Sequence, residues 1–322
     1  RARRPSSATC EYRLVRDRML FGPVKPLTAI QPLEWAFLAV SSLSLLVSLG
    51  FSVERLATLP KNSDDYTFTI MLCFTSIFCF FYIIHGTLKE RYHEIAVFMV
   101  STGLLTCYVI INLAVGDEDG STILQKQVRL GVAIVFFIAI MCLGVPVVHR
   151  YRCSRKLMFD INALENLQKM LGWLFLCSSL IFFDVQLQGT MLICVMNTGT
   201  LMTTTEIIVL VVGVPVTIVW AVAGNITIFK ESKAWLCLFT LLWFPNVVYI
   251  GLRLYYLDKN ESRTELYLAT IACAVVALLV RVLLVGNVGI VVHNFGRGIR
   301  QQLEAIEMKQ PLVHRIPCQD AA

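Results

Sequence analysis

Residues 266–294 read LYLATIACAVVALLVRVLLVGNVGIVVHN, 29 residues in which Arg281 is the only Lys, Arg, Asp or Glu. A helix rises 1.5 Å per residue, so about 20 apolar residues cross the roughly 30 Å of hydrocarbon in a bilayer. The stretch is apolar on every side, which suits a helix bathed in lipid better than one lying on a soluble core. Blocks of the same kind recur at about 33–53, 67–88, 94–116, 130–148, 171–196, 205–229 and 234–257. The sequence therefore predicts an all-α integral membrane protein, a bundle of about eight transmembrane helices. A polar, basic segment (1–32) precedes a polytopic domain (33–294), and a polar tail (295–322) follows. The break NTGTLMTT (197–204) decides the count, because a re-entrant unit there would remove a span and move the tail to the other side.

Composition agrees. Of 322 residues, 57% are hydrophobic and 16% charged, against about 25% charge in a soluble domain. The net charge is +6, but the positive residues sit in short clusters between apolar blocks. That pattern fits loops beside an anionic leaflet. Without interleaved aromatics it does not fit nucleic acid.

Positive residues collect on the cytosolic side of short loops. With the N-terminus placed inside, 20 of the 28 Lys and Arg fall in inside segments and 6 in outside loops; the other two, Arg253 and Arg281, lie in spans. Both termini are therefore expected in the cytosol, in the plasma membrane or an endomembrane. Asn260-Glu261-Ser262 is a glycosylation sequon, and it falls in an outside loop on this topology, which makes Asn260 a glycosylation candidate. No cleaved signal is expected, since 1–32 lacks an apolar core.

Of eleven cysteines, Cys73, Cys79, Cys107, Cys142, Cys177, Cys194, Cys237 and Cys273 lie in apolar blocks. Cys10, Cys153 and Cys318 fall in cytosolic segments, so no structural disulfide is expected. Cys153, among Arg150, Arg152, Arg155 and Lys156, is a candidate for S-palmitoylation or an ordinary reduced thiol. Ser6, after Arg3 and Arg4, fits a kinase site. No metal site and no cofactor are expected: zinc spacings are absent, and so are GxxxxGK[ST] and HExxH.

A charge inside the bilayer is costly and needs a reason. Asp184 in LIFFDVQLQG and Arg281 in ALLVRVLLVG both fall well inside spans, and opposite charges at matching depth predict an interhelical ion pair. Gln188 lies one turn from Asp184 on the same face. Ala274 and Ala277 share the Arg281 face and permit close helix approach. The pair could form part of a proton or substrate path, or fix helix packing; alternatively Arg281 snorkels alone. Asn225, Asn246 and Asn287 could line a cavity or bond between helices. His85, His93 and His293 fall near cytosolic ends, where solvation is the ordinary state. Glu206 opens the sixth span near the outer interface, where capping the helix is one expected role. Tyr249, Tyr255 and Tyr256 fit an aromatic belt. Pro146, Pro215 and Pro245 fall inside spans and bend them. GVPV occurs at 144–147 and 213–216, a weak hint of an internal repeat.

No catalytic residue is indicated. The expectation is a non-catalytic multi-pass protein, receptor-like, adaptor or lipid-organising, with membrane lipids as its partners. The alternative is a transporter or channel for a small solute or ion, with Asp184, Arg281, Gln188, Asn225, Asn246 and Asn287 in the pathway. An intramembrane lipid enzyme would need a cluster of His, Asp or Ser near one interface, which the sequence does not display.

Overall fold

A computed structural model describes residues 30–61, 64–115, 120–154, 165–196, 204–260 and 265–295. Among them the chain forms α1 (Pro32–Thr58), α2 (Asp64–Leu88), α3 (Tyr92–Val115), α4 (Gly120–Ser154), α5 (Glu165–Ile193), α6 (Thr204–Lys230), α7 (Lys233–Asn260) and α8 (Glu265–His293), and no strand. All eight contain a stretch long and apolar enough to cross a membrane.

The ends have local causes. Pro32 opens α1 at a position where a missing N–H costs nothing, and the Gln31 N–H donates to Glu34 Oε2 at 3.1 Å. α4 outruns its apolar block of 130–148 by most of three turns at its start. It stays helical there because its inward cations find partners. Lys126 Nζ donates to the Asn112 carbonyl at 3.5 Å, and Arg129 Nη2 to Ser52 Oγ at 3.4 Å. α5 and α6 are separate helices. α5 closes with Val195 N–H on the Leu192 carbonyl and Met196 N–H on that of Ile193, and the Thr67 hydroxyl donates to the Met196 carbonyl at 2.6 Å.

The helices assemble as two four-helix bundles. α1 to α4 pack in sequence order, and α1 closes the ring against α4. α5 to α8 repeat the arrangement, with α5 closing against α8, while α7 touches α8 only lightly. The bundles meet where α2 and α3 of the first pack on α5 and α8 of the second. α5 is the most enclosed helix; α4 and α7 are the most open. Large apolar side chains such as Val135, Leu241 and Val282 face outward. Water would penalise so extended an apolar surface, whereas lipid welcomes it.

The two GVPV stretches do not correspond. Residues 144–147 lie in the fourth helix of the first bundle, and 213–216 in the second helix of the other. The real correspondence is a turn. Lys89-Glu90-Arg91 links α2 to α3, and Lys230-Glu231-Ser232 takes the chain from the end of α6 into α7. Glu90 has φ 50° and Glu231 φ 49°. A left-handed residue here reverses the chain in little space, and non-glycine residues rarely adopt it. Both turns lie at the end of the bundle where α1 and α5 begin, the proximal end.

Candidate functional site

The Asp184 carboxylate lies in the second bundle, between α5 and α8. Arg281 grips it with two roughly parallel bonds, Nε to Oδ1 at 3.2 Å and Nη2 to Oδ2 at 3.3 Å. Gln188 Nε2, one turn on, also donates to Oδ2. The Gln188 carbonyl in turn accepts from Thr217 Oγ1 of α6 at 2.9 Å. Three helices are thus tied through one carboxylate. Asp184 is 0% exposed and Arg281 1%.

The two Cα atoms do not sit at equal depth. The Cys273 thiol donates to the Leu187 carbonyl at 3.5 Å, and counting along the antiparallel helices from that contact puts Arg281 more than a turn to the proximal side of Asp184. Side chains on a helix lean toward its N-terminus, which on α8 is the distal end, so the long Arg281 stem bridges the offset. Fully buried Cys273, Ala274 and Ala277 let α8 approach α5.

None of the three asparagines shares a hydrogen bond with this group. Asn225 Oδ1 accepts from Ser178 Oγ at 3.0 Å and its Nδ2 donates to the Ala221 carbonyl at 2.9 Å, tying α6 to α5. Asn246 Nδ2 bonds within its own helix, to the Leu242 carbonyl at 3.0 Å. Asn287 is buried with neither amide atom paired. Arg281 Nη1 is also unpaired. Tyr249 donates to the Met191 carbonyl at 3.4 Å, whereas Tyr255 is exposed.

Gln186 is a polar group that sequence reasoning missed. It is buried, and its Oε1 accepts from Ser101 Oγ of α3 at 3.2 Å. The signal was the alternation Asp184, Gln186, Gln188, which puts polar groups on two opposite faces of one helix.

A second cluster, at the proximal end, overturns the expectation for His85. Its ring is not simply solvated: Nδ1 contacts Glu94 Oε2, and the Phe81 ring stacks on it with centroids 5.2 Å apart. Arg91 Nη1 donates to Glu94 Oε1 at 3.1 Å, and its guanidinium carbon lies 4.4 Å from the Phe175 ring centre on α5. Glu94 and Arg91 are buried. The i, i+3 spacing of Arg91 and Glu94 was readable; the approach of His85 across the turn was not. Beside them, burial pushes the Lys89 amine down to about 8, the Arg91 charge adds to that, and Glu94 opposes it.

Cys153 is exposed on the last turn of α4, its Sγ 3.7 Å from His149 Nε2. Asn260 is the last residue of α7, so the sequon starts within a helix where a loop was expected; Glu261, Ser262 and Ser6 lie outside the described residues. Among the described residues no group of three His, Cys, Asp or Glu could hold a metal ion. An apolar crevice among α5, α6, α7 and α8, lined by Ile181, Gly224, Phe239 and Val291, has a volume of about 10 Å³, room for roughly one water.

The matching family model covers residues 21–153 and 161–288, most of the chain. The chain belongs to that family, described as a domain of unknown function (DUF7789). The first matched segment spans α1 to α4 all but its last residue, and the second spans α5 to α7 and most of α8. No curated protein and no solved structure matches.

Proposed function

We propose that this is a multi-pass membrane protein without a catalytic step of its own, receptor-like, adaptor or lipid-organising, in which the Asp184–Arg281 pair fixes how α5, α6 and α8 pack. The observation that carries this is the dry, bonded state of the carboxylate: Asp184 accepts from Arg281 twice and from Gln188 once, with no exposure to solvent. A transported ion or solute needs a wet, exchangeable partner; a dry bidentate pair is a packing device. Both termini are proposed to be cytosolic, on the charge asymmetry of the loops. Asn260, Cys153 and Ser6 are proposed as sites of glycosylation, palmitoylation and phosphorylation respectively.

Melting in detergent tests the reading with Asp184→Asn, Arg281→Gln and the double variant. Breaking a buried pair on one side strands a charge at about 3–5 kcal/mol, while removing both is often near neutral. Early melting of both singles with recovery in the double supports a packing role. Three wild-type melting curves would sink it.

The transporter reading keeps one specific support. Arg281 Nη1 and both amide atoms of Asn287 are buried polar groups that make no hydrogen bond to protein, and such groups offer hydrogen bonds to a polar solute. Proteoliposomes with a trapped pH dye separate the two readings. Proton flux in the wild type, lost in Asp184→Asn, would favour transport.

A further inference from the structure

We infer that the chain is a fused pair of copies of one four-helix unit, and that the face formed by the second and third helices of a unit is a partner surface for the first and fourth helices of another. The inference is independent of the function proposed above.

Three observations carry it. The matched segments of the family model divide the chain between Cys153 and Ile161, in the stretch that separates the two bundles. The two rings close in the same order, first helix against fourth. The turn between second and third helices reads Lys-Glu in both, with Glu left-handed in both, followed by one non-helical residue before the next helix. Among the described residues Glu90 and Glu231 are the two non-glycine residues with positive φ, and they fall at the corresponding point of the two bundles. Four spans separate the turns, so the copies have the same orientation, related by an axis along the membrane normal.

The surface follows from the seam. The first copy presents α2 and α3, its second and third helices; the other presents α5 and α8, its first and fourth. Different faces meet, so the contact is heterologous. In lipid, helices associate through close packing and hydrogen bonds rather than hydrophobic burial, and the seam has both. The Tyr82 hydroxyl donates to the Phe182 carbonyl at 3.1 Å, and Ser101 to Gln186. Gly189 lies so close to Phe74 that a Cβ would stand 2.4 Å from the ring. The outward faces of α6 and α7, corresponding to the surface that α2 and α3 use, carry Ile208, Val211, Val219, Leu241, Phe244 and Val248. Thr240 of α7 is exposed beside them and donates within its own helix, to the Leu236 carbonyl at 2.8 Å.

The test uses the full chain with a protease recognition sequence inserted between Ser154 and Glu165, cut after purification in mild detergent, with an affinity tag on the C-terminal half. Both halves are expected to stay folded by circular dichroism and to be retained together. Gly189→Leu should lower retention of the N-terminal half about tenfold after cutting, equivalent to about 1.4 kcal/mol. If that variant fails to fold uncut, Ser101→Leu adds bulk at the same seam. Unfolding on cleavage would show a single eight-helix unit and overturn the inference. Separation of the wild-type halves, or seam variants that leave retention unchanged, would overturn the partner surface.

Discussion

Glu90 and Glu231 occupy the same station in the two bundles, each following a lysine and each left-handed, with φ 50° and 49°. An L-residue in this region crowds its Cβ against the following carbonyl, at about 1–2 kcal/mol, and glycine escapes that cost. Glu90→Gly and Glu231→Gly are therefore each expected to raise the melting temperature in detergent. The gain is a net ~0.5–1 kcal/mol, because glycine also loosens the unfolded chain. The sites lie in different bundles, so the effects should add. Opposite signs at the two sites would mean that the turns are not equivalent.

The Thr217 hydroxyl holds Gln188, which in turn holds Asp184. Thr217→Val keeps the shape and removes that bond. The expected loss is about 1 kcal/mol, as for other interhelical bonds in membranes, well below that of Asp184→Asn. A loss equal to that of Asp184→Asn would place Thr217 at the centre of the network rather than its rim. Comparing melting midpoints in one detergent decides this.

Much of the fold was readable because each of eight blocks is long and apolar enough to cross a bilayer. The same uniformity hid the rest. Helices apolar on all sides carry little phase information, so the face that α2 turns to α5 was not visible. Asp184 and Arg281 were legible because charge is rare in such helices, and their contact matches the expectation. His85 was misread because its partner Glu94 lies across a turn whose left-handed geometry no local pattern announces. GVPV was a false repeat; the matching feature is two residues, Lys-Glu, and their backbone.

Glycines separate tight sites from open ones. A Cβ at Gly224 would stand 2.7 Å from the Phe239 ring and 2.9 Å from Ile181 Cδ1, whereas at Gly251 and Gly286 it would meet nothing within 4 Å. Gly224→Ala is expected to destabilise by about 1–3 kcal/mol, as overpacking does. Gly251→Ala and Gly286→Ala should be neutral or stabilising, up to about 1 kcal/mol from helix propensity. Equal melting of all three variants would contradict the packing of α5, α6 and α7.

Lys89 sets a pH dependence whose sign is opposite to that of a lysine in a salt bridge. Burial, chiefly, lowers its amine from 10.5 to about 8 in the folded chain. Between those values the unfolded chain binds more protons than the folded one, so stability rises with pH across the window. Above it the charging penalty is absent, and below about 8 it is fully present. Lys89→Met removes the titrating group and should flatten the slope of melting temperature between pH 8 and 10.5. Other lysines and tyrosines contribute to any absolute slope, so the difference between wild type and variant is the quantity to read. A variant whose slope matches the wild type would mean that the Lys89 amine is solvated, and that the proximal cluster around Arg91 and Glu94 does not enclose it.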